Sequence, residues 1–207
     1  KFLLKKRLEV LKYSKIFISE NGLTTNSLKS ISNKYKLDFK EVELLFPEGN
    51  VDLVKFALEQ LNIELEDYTK KIDLIRLPIH KRIRKVLLSK IYLMSKEKSF
   101  YKKIFLNLLI PKKHFSLPGQ IYKSVDQIWF ISGDSSVDFN FYTKRLILSG
   151  IYSRIMLFYF NNDNQDQLEA LLDENLKRVS AIPKIKSKLN TFKEYFPKIF
   201  KFVKNSY

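Results

Sequence analysis

The sequence predicts an all-α protein, and three observations carry that prediction. Apolar residues recur at steps of three and four through most of the chain, the spacing of one face of a helix. Helix stop and start signals, among them Asn21-Gly22, Pro78 and Gly133, fall between those runs. From Asp138 to Phe160 the chain is apolar on nearly all sides, yet no uncharged run in it exceeds eight residues. Crossing a bilayer takes about 20, so this stretch of about 22 residues reads as the buried central helix of a helical body.

The elements follow in order. Residues 2–20 place Leu4, Leu8, Leu11, Ile16 and Ile18 on one stripe with lysines between, and Asn21-Gly22 stops it. Thr24 or Thr25 starts a second helix over Ser27–Tyr35. After a short turn at Leu37-Asp38, FKEVELLF over 39–46 is a third. Phe46-Pro47-Glu48-Gly49 closes this unit, and residues 51–68 begin a longer helix.

Residues 76–103 carry ten Lys or Arg against one acid, Glu97. A stripe through Ile79, Ile83, Val86, Leu87, Ile91 and Met94 survives within them, and Pro78 suits its first turn. A further helix over 99–110 ends before Pro111. The pair reads as two surface helices with solvated lysines, or as a basic face for an acidic membrane or nucleic acid.

Leu117-Pro118-Gly119 reads as a loop. The amphipathic segment after it ends at Trp129, and Gly133 stops it as a left-handed C-terminal glycine would. Ser135, Ser136 or Asp138 caps the central helix. After the polar turn NNDNQDQ, residues 166–182 put Leu168, Leu171, Leu172 and Val179 on one face. Pro183 sets off the last 24 residues, where seven Lys face one acid, Glu194. There Ile185, Leu189, Phe192, Phe196, Ile199 and Phe200 form a bulky stripe, the pattern of a helix lying in a membrane interface. The same stripe also suits a last core helix docked on the body.

With 207 residues and 45% hydrophobic content, the chain is long and apolar enough for a sizeable core. It has no cysteine, which excludes disulfides and thiolate metal sites. The net charge of +16 favours anionic partners. A composition rich in Lys, Asn, Ile, Phe and Tyr is also what AT-rich coding produces, so charge alone selects no partner. No 7–15-residue apolar core follows the opening KFLLKKR, so no secretory signal is expected. His80 and His114 have no metal-ligand spacing. No phosphate-cradling glycine loop and no nucleophile elbow is present. No catalytic residue and no metal site is therefore assigned.

The order and spacing of the first three helices look like the helix-turn-helix unit of TetR regulators. In a DNA reader the third helix enters the major groove. Here it carries Asp38, Glu41 and Glu43 against Lys40 alone. Carboxylates facing phosphates cost affinity, so no specific nucleic-acid partner is expected.

The string GDSSVDFNFYTKRLILSGIYS, residues 133–153, closely resembles the signature of the ubiquinone (coenzyme Q) biosynthesis accessory proteins, lipid-binding relatives of the TetR regulators. Their pattern reads approximately GD-x-S-x-DFN-aromatic-YT-basic-R. This chain matches it at Gly133, Asp134, Ser136, Asp138, Phe139, Asn140, Tyr142, Thr143, Lys144 and Arg145. Phe141 stands where a Trp is usual, which removes one hydrogen-bond donor. More weakly, the resemblance runs from about Leu8 to about Val179.

The resemblance implies a TetR-like helical bundle with an N-terminal helix-turn-helix-like unit (1–48), a lipid-binding body (49–182) and a C-terminal amphipathic membrane helix (183–207). It implies a homodimer that binds isoprenoid lipid or quinone and otherwise needs no cofactor. It also implies assistance to the di-iron demethoxyubiquinone hydroxylase at an acidic membrane surface. The expected location is the cytoplasmic face of a bacterial inner membrane, with the mitochondrial matrix face as the alternative. The competing class is a TetR-like DNA-binding regulator with a small-molecule pocket.

Three residue groups carry these expectations. The face with Leu148, Ile151, Tyr152, Ile155 and Met156 either lines an elongated pocket or packs as ordinary core. Ile128, Trp129, Asp138, Phe141 and Tyr142 match the region by which the family engages the hydroxylase; alternatively, Trp129 and Phe141 pack inward. Gly133, Asp134 and Arg145 are structural, with Arg145 bracing the turn through Asp134 or Asp138.

Overall fold

The computed structural model describes residues 2–109, 117–135 and 139–180. Those residues form nine helices and no strand. They are α1 (Phe2–Asn21), α2 (Ser27–Tyr35), α3 (Phe39–Leu45), α4 (Asn50–Thr69), α5 (Ile79–Ser95), α6 (Lys98–Leu109), α7 (Leu117–Ile131), α8 (Phe139–Asn161) and α9 (Gln165–Ser180). No helix among them is long and apolar enough to cross a membrane. Packing divides the described residues into two compact units, 2–68 with 90–109 and 117, and 69–89 with 118–135 and 139–180.

In the first unit, α1, α2 and α3 form the helix-turn-helix-like head. Lys36, at φ 55°, ends α2, and the Leu37 N–H returns to the Ser32 carbonyl at 2.9 Å. Asp38 then caps α3 by accepting from the Lys40 N–H at 3.0 Å. The head packs onto α4 and α6. Phe46 meets Phe56 of α4 edge-on at 6.0 Å, with the Arg7 guanidinium 4.2 Å from the Phe56 ring centre. The Ser99 hydroxyl of α6 donates to the Ser19 carbonyl of α1 at 3.1 Å. Buried Leu53, Ala57, Leu61, Phe100 and Ile104 complete this core.

The basic stretch forms two helices with solvated lysines, as expected, and turns its apolar stripe inward. Ile83, Val86 and Leu87 of α5 and Phe100 of α6 are fully buried, and the lysines ride the outer faces. One lysine does not. Lys90 is wholly buried in the first unit and donates to Asn62 Oδ1 at 3.0 Å. Burial pushes its pKa down to about 7.

The second unit is built on α7, α8, α9 and the start of α5. Arg84 joins α5 to α9, from Nε to Asp173 Oδ1 at 2.6 Å and from Nη2 to Glu169 Oε2 at 2.8 Å. Asn164 caps α9 by accepting from the Gln167 N–H at 2.9 Å. Residues 117–119 are the first turn of α7 rather than a loop, a position that tolerates the missing N–H of Pro118. The central helix α8 buries one face and leaves Leu146 and Leu157 exposed at 61% and 41%, so it is not enclosed on all sides.

Candidate functional site

The site is the junction of α7 and α8. At the end of α7 the Asp134 N–H returns to the Trp129 carbonyl at 3.0 Å, and the Gly133 N–H to the Phe130 carbonyl at 2.9 Å. That pair of bonds satisfies the last carbonyls of a helix and requires a left-handed residue, which Gly133 supplies at φ 80°. A Cβ at Gly133 would stand 2.9 Å from Arg82 Nη1. Arg82 is occupied there. It donates through Nη1 to the Ser132 carbonyl at 3.2 Å, through Nε to the Leu77 carbonyl at 2.7 Å, and through Nη2 to the Ile75 carbonyl at 2.7 Å.

The turn places the Asp134 carboxylate, 3% exposed, inside the unit. It accepts from Lys144 Nζ at 2.7 Å and from Arg145 Nη1 at 3.2 Å. Arg145, 4% exposed, also donates through Nε to Asp126 Oδ1 at 2.5 Å. Its Nη1 reaches the Phe141 carbonyl at 3.2 Å, and its guanidinium lies 3.2 Å from the centre of the Phe141 ring. Lys144 Nζ stands 5.3 Å from the Trp129 ring centre. Two acids and two cations thus lock the end of α7 to the first turns of α8. Phe141 and Tyr142 meet edge-on at 5.0 Å, both half-buried.

The expected partner residues do not all share a surface. Ile128 is fully buried and Trp129 is 1% exposed, so both are core residues here. Phe141 and Tyr142 keep part of their surface in solvent. The exposed aromatic at this end of α7 is Phe130, at 69%, which the sequence reading passed over. Ile128, Trp129 and Phe130 are consecutive apolar residues, and adjacent helix positions are about 100° apart, so only the packed face separates them. Asp138 lies outside the described residues.

Leu148, Ile151, Tyr152, Ile155 and Met156 are all buried on one face of α8. Burial pushes the Tyr152 hydroxyl up to about 12, and a hydrogen bond with Ser124 opposes it in part. An open cavity of about 510 Å³ lies elsewhere, in the first unit, and none of these five lines it. The membrane stripe of Ile185, Leu189, Phe192, Phe196, Ile199 and Phe200 also lies outside the described residues. Of the acids on α3, Asp38 is spent as the cap, Glu41 pairs with Lys6 of α1, and Glu43 is exposed.

A family model described as COQ9 matches residues 116–183, the segment that holds this junction. The rat mitochondrial ubiquinone biosynthesis protein COQ9 is 22% identical over 156 residues, 72% of this chain and 50% of its own length. The Xenopus laevis protein COQ9-A is 25% identical over 129 residues, 59% of this chain and 41% of its own. The human protein is 34% identical over 59 residues, 28% and 19% of the two chains. The chain spans about half the length of the rat relative. Among solved structures, a TetR transcriptional regulator from Nitrosomonas europaea superposes with a TM-score of 0.66 at 12% identity, covering 84% of this chain and 98% of its own. That likeness is one of fold alone. The signature segment and the longer matches are thus similar to COQ9 proteins, and the helical architecture is TetR-like in fold.

Proposed function

We propose that this chain serves ubiquinone biosynthesis as a non-catalytic accessory protein. It binds an isoprenoid quinone intermediate at a membrane surface and presents it to demethoxyubiquinone hydroxylase. One observation carries the reading: the family match falls on the α7–α8 junction, where buried charge holds Phe141 and Tyr142 half-exposed at the start of the helix whose next turns carry the apolar face. In this reading Phe141 and Tyr142 dock the hydroxylase, with Phe130 beside Trp129 in sequence as the exposed addition. Leu148, Ile151, Tyr152, Ile155 and Met156 contact the lipid. The cationic tail holds the protein to an acidic membrane. The exposed leucines of α8 suit a second copy of the chain.

The curated relatives are named as mitochondrial, which favours the matrix face over a bacterial membrane. The acids on α3, one of them tied to α1, favour this class over a DNA-binding regulator.

Mass spectrometry of lipids that copurify with the chain tests the proposal. An isoprenoid quinone or a prenylated precursor is expected in stoichiometric amount. Preparations free of prenyl lipid, or carrying a defined operator DNA, contradict it.

A further inference from the structure

We propose that the first unit carries a separate binding site for an anionic single-chain amphiphile, a long-chain carboxylate. The site does not depend on the lipid reading of α8. It is the cavity of about 510 Å³ between α1, α4 and the junction of α5 with α6, a volume in the usual range for small-molecule sites.

Its α1 wall has an unusual order. Leu8, Lys12 and Ile16 follow at steps of four and so stand above one another on one face. Leu8 and Ile16 line the cavity while 41% and 46% exposed, which leaves apolar surface in water inside a concave site. Leu4, one turn earlier, extends the ridge outward at 48% exposed. A surface of this kind gains by covering with an apolar chain, at about 25 cal/mol per Å² removed from water.

The charges select the head of that chain. Four lysines line the cavity, Lys12, Lys15, Lys96 and Lys98, against Glu64 and Glu97. Lys15 holds Glu97 at 2.7 Å. Glu97 and Glu64 both also act on the buried Tyr101 hydroxyl, whose ionisation is pushed up first by its burial and then by these two charges. Lys98 is engaged within the chain. Among the described residues Lys12 and Lys96 have no ion-pair partner. An apolar ridge interrupted by one cation, with a second cation across the cavity, fits a carboxylate bearing an alkyl chain. A neutral lipid leaves both lysines unused, and a small anion leaves Leu8 and Ile16 wet.

The test is photo-crosslinking of the full chain with diazirine-bearing palmitate, followed by peptide mapping. Saturable labelling of residues 8–19 and 96–99 is expected, competed by palmitate and not by acetate or hexadecanol. Lys12→Glu with Lys96→Glu should lower that labelling by about tenfold, the scale of one lost charge-assisted contact, and leave labelling of α8 unchanged. Should the charge-reversed pair fail to fold, Lys12→Gln with Lys96→Gln gives the same reading. Labelling confined to α8, competition by hexadecanol as strong as by palmitate, or unchanged labelling in the variants overturns the site.

Discussion

Exposed ion pairs of the first unit contrast with the buried one at the α7–α8 junction of the second. In the first, ion pairs sit at the surface: Lys6 with Glu41, Lys34 with Glu20, Lys55 with Glu48, all with side chains between 31% and 59% exposed. In the second, Asp134 and Arg145 face each other at 3% and 4% exposure. Water competes for exposed pairs, which contribute about 0–1 kcal/mol each. Taking two charges out of water is costly, and removing one partner afterwards is costlier still. These first-unit pairs are therefore surface features, while charge at the α7–α8 junction is part of the architecture. The segment that matches the family model is the one with the buried pair.

That contrast is breakable. Asp134→Ala removes the buried carboxylate that Lys144 and Arg145 share and should cost about 3–5 kcal/mol in urea unfolding. The matching control in the first unit, Glu41→Ala, should cost less than about 1 kcal/mol. Equal losses would erase the distinction.

A middle-sized effect sharpens it. Gly133→Ala puts a side chain on a left-handed residue at a cost of about 1–2 kcal/mol, and its Cβ must also displace the Arg82 guanidinium. The fall in Tm should shrink when Arg82→Ala is already present, because one of the two penalties is then gone. Additive losses would show that the contact with Arg82 carries nothing.

The exception in the first unit is Lys90, a cation enclosed with the core. Its pKa falls from the ordinary 10.5 to about 7 through burial. Between those values the unfolded chain holds a proton that the folded chain lacks. Stability should therefore rise with pH across that window, by up to about 1.4 kcal/mol per pH unit. Below pH 7 both states are protonated and the penalty is constant. Lys90→Met removes the penalty, so it should be more stable than the parent at pH 7, with the difference closing toward pH 10. Parallel pH profiles for the two proteins contradict the burial of a charged group.

How much of this was legible follows from how local each signal is. The helices of the head were readable because their stops are local: Asn21-Gly22, the Leu37-Asp38 turn and the Phe46-Pro47 turn each act within a few residues. Gly133 was readable for the same reason. The orientation of α7 was not. Ile128, Trp129 and Phe130 are all apolar, and which of them packs inward depends on contacts distant in sequence, of the kind Arg145 makes with Asp126 nineteen residues away. Lys90 hid in a basic run, although it continues the stripe of Ile83, Leu87 and Met94 at steps of three and four, and that spacing was the available signal. The cavity of the first unit depends on helices distant in sequence and had no local mark.

The half-exposed start of α8, held by buried charge, is the surface proposed to engage the partner. Coprecipitation with the cognate demethoxyubiquinone hydroxylase tests it most directly. The full chain is compared with Phe141→Ala/Tyr142→Ala and with Glu41→Gln/Glu43→Gln on α3, each checked for folding by circular dichroism. The α8 pair should lose capture by about tenfold or more, the scale of an interface hot spot, while the α3 pair captures like the parent. Normal capture by a folded α8 variant contradicts the claim.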